Sequence, residues 1–160
     1  MGGRLTMIRP VYFYYHDHRP SYESVLKYFP EAEHVSTQPS AYAYWDEIEK
    51  RWDGSADLLF MEEHIIFHEQ VRPQLEACPS DWCVFPVGGQ MTGLSCTRFT
   101  AKLQRDVTAQ MIRAKARRKC PHCGAPHFNF IDGPIMDAMR EAGYPHQPCL
   151  HSPPVEHLPD

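Results

Sequence analysis

The sequence predicts an α/β fold, a three-layer sandwich around a mostly parallel, Rossmann-like central sheet. Short apolar runs of strand type alternate with stretches of helical period, about ten residues each, between Val11 and Val87. The length of 160 residues suits one domain, and 42% apolar with 22% charged residues is the make-up of a globular protein. No internal repeat or low-complexity linker divides the chain, so residues 1–160 are read as a single domain.

Taken in order, "VYFYY" (11–15) is an apolar and aromatic run of strand type, closed by the polar cluster "HDHRPS". "SYESVLKYF" offers Ser21 as an N-cap, sets Val25, Leu26 and Phe29 on one helical face and stops at Pro30. "AEHVST" reads as a second strand, and "AYAYWDEIEKRW" as a helix with Tyr44, Ile48 and Trp52 in phase. "ADLLFM" is a third strand. Its apolar run is interrupted by Glu62, Glu63 and His64 before Ile65, Ile66 and Phe67 resume it. Charged groups at such a point are costly unless they reach a cleft or a ligand.

"EQVRPQLEACP" is a short helix despite Pro73, and "WCVFPV" a fourth strand. Beyond the glycine-containing "VGGQMTGL", the segment "SCTRFTAKLQRDVTAQMIRAKARRK" opens as a strand and continues as one long helix. "GPIMDAMREAGY" is a last helix with Ile135, Met136 and Met139 on its apolar face and Gly143 as its C-cap. "PHQPCLHSPPVEHLPD" holds five prolines and three histidines in sixteen residues, too many prolines for a helix. It is expected as an extended C-terminal tail that packs on the rest.

A formal charge of −4 argues against general nucleic-acid affinity. No run approaches the roughly 18 apolar residues of a membrane span, and "MGGRLTMIRP" lacks the apolar core of a signal peptide. The expected location is cytoplasmic, where the six cysteines are thiols or metal ligands rather than disulfides. Ten histidines prompt a search for metal sites.

Four constellations could carry chemistry. Glu62, Glu63 and His64 end the third strand, and ligands of open α/β sheets bind beyond the carboxyl ends of the strands. Carboxylate and imidazole there suit a divalent ion, although a solvated turn would look the same. In the tail, His146, His151 and His157 stand on a proline-stiffened segment. "CPHCGAPH" places Cys120, Cys123 and His127 at the spacing of half a zinc site. Cys149, with His127, His146 or His151, could complete it. The island "IRAKARRK" gathers Arg113, Lys115, Arg117, Arg118 and Lys119, which suits phosphate contacts or a solvated helix face.

The line "DLLFMEEHIIFHEQVRPQLEACPSDWCVFPV" followed by "TGLSCTRFTAKL" resembles small GT-A type, nucleotide-sugar-dependent glycosyltransferases of bacteriophage or bacterial origin. Such enzymes have an apolar strand, an acidic triplet, a helix ending in Cys-Pro, then Trp-Cys and a Gly-Leu loop leading to Arg-Phe. "HFNFIDGPIMDAMREAGYPHQPCLHSPPVEH" is similar to their closing segment. The resemblance spans about residues 56–104 and 127–158. It implies that Glu62 lies near the donor ribose. His64 takes the position of the aspartate that binds Mn²⁺ or Mg²⁺, and His157 completes the metal and diphosphate site. Asp132 falls at an acceptor-side carboxylate and is the candidate general base. By the topology of the fold, Asp17 would contact the nucleotide base or ribose, and Arg19 a phosphate.

Two departures stand out. Imidazole binds magnesium poorly, so His64 implies a softer ion, substitution by Glu63, or lost metal dependence. "CPHCGAP" is an insertion, expected as a zinc-stabilised knuckle near 120–127. The function expected is sugar transfer from a nucleotide diphosphate to an acceptor hydroxyl, nucleic acid being one conceivable acceptor. The competing expectation, built on "RRKCPHCGAPH", is a zinc-containing nucleic-acid binder or metal-dependent nuclease. A catalytically silent relative that binds a nucleotide or a partner is the third.

Overall fold

A computed structural model describes residues 7–16, 19–37, 41–88, 94–116, 132–145 and 147–158, with backbone alone at 41–43 and 132. The elements run β1 (Ile8–Tyr14), α1 (Arg19–Tyr28), β2 (Glu33–Ser36), α2 (Ala41–Arg51), β3 (Asp57–Glu62), β4 (Ile65–Ile66), α3 (Val71–Ala77), β5 (Trp82–Val84), β6 (Cys96–Phe99), α4 (Ala101–Asp106), α5 (Ala109–Ala116), α6 (Asp132–Glu141), β7 (Cys149–Leu150) and β8 (Glu156–His157).

Six strands form one mixed sheet in the order β2-β1-β3-β6-β5-β7. β1 pairs parallel with β2 and β3, and β5 pairs parallel with β7. β6 alone runs against its neighbours β3 and β5. The sheet is therefore rich in parallel pairs but not wholly parallel. Alternation of side chains explains why its strands are apolar throughout. Val11, Phe13, Leu58, Phe60 and Val84 face a core with Ile48 of α2, Trp52 just after it, Leu103 of α4, Ile112 of α5 and Ile135 of α6. Tyr12, Leu59, Met61 and Cys83 face a second core with Val25 of α1, Phe29 just after it and Leu75 of α3.

Three local expectations are corrected. Ser21 is not the N-cap of α1, which begins at Arg19 with Pro20 in its first turn, where a missing N–H costs nothing. Ser21 is instead buried, and the Tyr12 hydroxyl donates to its Oγ at 3.1 Å. Leu26 is exposed, and Ser24 takes the inner face beside Val25. The long helix after β6 is two helices. Trp52 Nε1 donates to the Val107 carbonyl at 2.6 Å, and Thr108 Oγ1 accepts from Met111 N at 3.3 Å, so the chain breaks and is capped anew.

Gly143, at φ 87, ends α6 in a left-handed turn. Its N–H reaches the Arg140 carbonyl and the Tyr144 N–H the Met139 carbonyl, a Schellman arrangement. The expected tail contributes β7 to the edge of the main sheet and β8 to a two-stranded sheet with β4, and Val155 between them is buried. Among the described residues no helix is long and apolar enough to cross a membrane.

Buried polar groups join β3 to α4. Asp57 Oδ1 accepts from Ala101 N at 2.9 Å. Gln104 donates to the Ala56 and Phe99 carbonyls and accepts from Gly54 N. Replacing Gln104 by Ala strands these backbone groups, and is expected to cost about 1–3 kcal/mol in urea unfolding.

His34 of β2 sits between the rings of Tyr12 and Tyr22, with centroids at 5.3 Å and 5.1 Å, and burial pushes its pKa below the usual 6.5. The unfolded chain then takes up the proton first as pH falls. Stability is expected to be fully present above pH 6.5 and to decline as pH drops through that value. Urea midpoints compared between about pH 7.5 and 5.5 measure the slope, and His34→Gln should flatten it.

Candidate functional site

β3 is buried from Asp57 to Met61 and reaches partial exposure at Glu62, so it delivers the polar triplet to the carboxyl ends of the parallel strands β1 and β3. The turn that follows is tight. His64 has φ 69, a left-handed conformation uncommon outside glycine, and its carbonyl accepts from Leu158 N at 2.8 Å. β4 then pairs antiparallel with β8, Ile65 opposite His157 and Ile66 opposite Glu156. This pairing brings the His64 and His157 rings to a centroid separation of 6.1 Å, inclined at 32°. His157 is exposed and His64 half-buried.

The carboxylates are held by the protein itself. Glu62 Oε2 accepts from the Tyr44 hydroxyl at 2.9 Å, and Oε1 from the Ser95 hydroxyl at 3.0 Å. Glu63 turns back to the loop after β1, where its two oxygens accept from Tyr15 N at 2.9 Å and His16 N at 2.8 Å. Paired backbone N–H groups of this kind form an anion cradle, and Glu63 fills it. Its geometry is that of a loop staple, whereas Glu62 is held by Tyr44 and Ser95, and its oxygens do not gather within 4.8 Å of both imidazoles.

The other expected residues are scattered. Arg19 opens α1 fully in solvent, 3.5 Å from Glu23. Asp132 is the first residue of α6, its side chain outside the described part. Asp17, Cys120, Cys123, His127 and His146 lie outside the described residues. Of the basic island, Arg113 pairs with Glu49 and Lys115 with Glu141.

A second constellation was not anticipated as a set. Cys78, Cys149 and His151 bring one ligand atom each within 4.8 Å of one another, a group able to hold a metal ion. Cys78 follows α3, Cys149 opens the edge strand β7 and His151 follows it. A row across the sheet explains the meeting. Leu59 pairs with Arg98, Arg98 with Cys83, and Cys83 with Cys149, so one face presents guanidinium and thiols side by side. Burial pushes the Cys78 thiol up, but hydrogen bonds with Ser80, Cys149 and Cys83 outweigh it and leave its pKa lowered. Burial and the neighbouring Cys78 raise that of Cys149.

The sequence contained two signals for this group, the Cys-Pro and Trp-Cys pairs, but nothing local that joins them to Cys149. Comparison with protein-family models, with curated proteins and with solved structures returns no match for this chain.

The staple is directly testable. Glu63→Ala removes two charge-assisted bonds to the 15–16 loop, so faster amide exchange at Tyr15 and His16 is expected, with a loss of about 1–3 kcal/mol. Glu62→Gln keeps an acceptor for one hydroxyl and should cost less, with exchange at Tyr15 and His16 unchanged.

Proposed function

We propose that this protein is a metal-assisted glycosyltransferase that moves a sugar from a nucleotide-diphosphate donor to an acceptor hydroxyl. The observation that carries the reading is the pairing of β4 with β8, which brings His157 against His64 in the turn that follows Glu62 at the carboxyl end of β3. Those are the residues the family resemblance singles out, drawn from positions far apart in the chain.

The chemistry follows from the ligand types. A nucleoside diphosphate departs readily only when its developing negative charge is neutralised, and a divalent ion supplies that neutralisation. His64 and His157 would hold the ion with Glu62. Neutral imidazoles leave most of its charge for the diphosphate, and they suit Mn²⁺ better than Mg²⁺. Glu62, oriented by Tyr44 and Ser95, is kept in place for the ribose or the ion. Glu63 keeps the loop after β1 against the cleft rather than substituting for the missing aspartate. Asp132 is the proposed acceptor-side base, Asp17 the proposed base or ribose contact, and exposed Arg19 is available to a phosphate.

A cytoplasmic, reducing setting fits the free thiols of Cys78, Cys83, Cys96 and Cys149. The nucleic-acid reading draws less support, since Arg113 and Lys115 already have acidic partners within the chain. The acceptor is left as a hydroxyl compound.

Thermal unfolding against a panel of nucleoside diphosphates, with and without Mn²⁺, tests the reading. At about one hundred times its dissociation constant, the matching nucleotide is expected to raise Tm by about 5–10 °C. His157→Ala should remove the Mn²⁺-dependent part and leave the Tm of the unliganded protein within about 2 °C, because His157 is exposed. Silence towards every nucleotide would sink the proposal.

A further inference from the structure

We infer that Cys78, Cys149 and His151 hold a structural zinc ion, with Cys83 as its fourth ligand, in a site separate from the donor cleft. The first three already offer ligand atoms within 4.8 Å of one another. Sulfurs sharing a tetrahedral zinc at about 2.3 Å lie roughly 3.8 Å apart, within that span. Cys83 is not one of that group of three, but it is fully buried and is the cross-strand partner of Cys149, so its thiol needs only to turn inward to complete the set. All three cysteines belong to the same apolar cluster on one face of the sheet.

His151 is prepared as a ligand by its neighbours. Its Nδ1 lies 3.1 Å from Gln74 Oε1. The Gln74 amide is oriented independently, because its Nε2 donates to the Ser152 carbonyl at 2.7 Å and to Gln70 Oε1 at 3.2 Å. Oε1 can therefore only accept, so Nδ1 carries the proton and Nε2 carries the lone pair. That Nε2 is buried and has no hydrogen-bond partner among the described residues. A ring fixed through one nitrogen and bare at the other is the usual preparation of a metal-bound histidine.

Charge supplies the second, independent argument. Arg98 is 2% exposed, donates to the carbonyls of Leu75, Cys78 and Ser80, and has no carboxylate partner among the described residues. Its Nε is buried without a hydrogen-bond partner there. A buried guanidinium needs a negative counterpart. Three thiolates and a neutral imidazole around a divalent ion carry one net negative charge beside that guanidinium. On binding, three S–H protons pass to solvent and three Zn–S bonds form, with no change in oxidation state. A closed sulfur-rich set of four ligands selects zinc over manganese or magnesium.

The test is metal analysis of the full chain, purified under reducing conditions without chelator. About one zinc per chain is expected to survive dialysis. Cys78→Ser, Cys149→Ser and His151→Ala should each weaken zinc binding at least about tenfold, whereas His157→Ala and the double variant Cys120→Ser/Cys123→Ser should keep it. Retention in His157→Ala keeps this result distinct from the fate of the donor-cleft reading. If Cys83→Ser or another variant fails to fold, cobalt exchanged into the Cys120→Ser/Cys123→Ser variant serves instead. Intense thiolate-to-cobalt absorption with tetrahedral ligand-field bands supports the site. A metal-free chain that binds neither zinc nor cobalt, zinc lost from the Cys120/Cys123 variant but retained by Cys78→Ser, or a Cys78–Cys149 disulfide in place of metal would each overturn it.

Discussion

The buried guanidinium of Arg98 is the interaction around which one half of the molecule is arranged. It projects from β6, the strand that runs against its neighbours, and its N–H groups satisfy the carbonyls of Leu75, Cys78 and Ser80 at the end of α3. The Leu75 and Cys78 carbonyls would otherwise be orphaned, because the last turn and cap of a helix have no internal donors for them. A single side chain thus closes α3, fixes the start of the 78–81 connection and holds that connection against β5 and β6. Hydrogen bonds to a charged donor contribute about 1.5–3 kcal/mol each, more than a neutral bond, but only if the charge itself is compensated. The location of Arg98 between sheet and helix therefore shapes the chemistry of whatever lies next to it.

The two sites use the sheet differently. Beyond the carboxyl end of β3 the chain turns through His64 into β4, which is how His64 meets His157, carried by β8. The cysteine group instead forms across the sheet, in a row perpendicular to the strands, and is covered by α3. The first arrangement is open to solvent and suits a ligand that comes and goes. The second is half-buried against the apolar cluster under α3, and its sulfur ligands suit an ion that stays.

Much of the architecture could be read before any coordinates, because strand and helix periods are local. Except for the short β4, which was not expected, the elements from β1 to β5 lie close to where short apolar runs and proline stops put them, and Gly143 ends α6 as expected. What escaped the sequence was decided at a distance. The reversed direction of β6 leaves no mark on its own residues. The break at Val107 is imposed by Trp52, which follows α2, and the burial of Ser21 by Tyr12 on β1. The site divides in the same way. Glu62 and His64 announce themselves as charges inside an apolar run, whereas Glu63, equally charged, proves to be a staple. Cys78, Cys83 and His151 carry no shared spacing, and it is sheet order that assembles them.

β7 is two residues long, with Cys149 half-buried and Leu150 exposed. Strand register is normally enforced by the apolar face, since a slip by one residue turns the wrong side chains inward. So short and so lightly buried a strand has little such enforcement. Coordination would provide it: Cys149 meets Cys83 and Cys78 in one alignment, and a shifted strand would leave the thiols facing nothing. The ion would then act as a proofreader of strand pairing, admitting the edge strand to the sheet in its correct alignment alone.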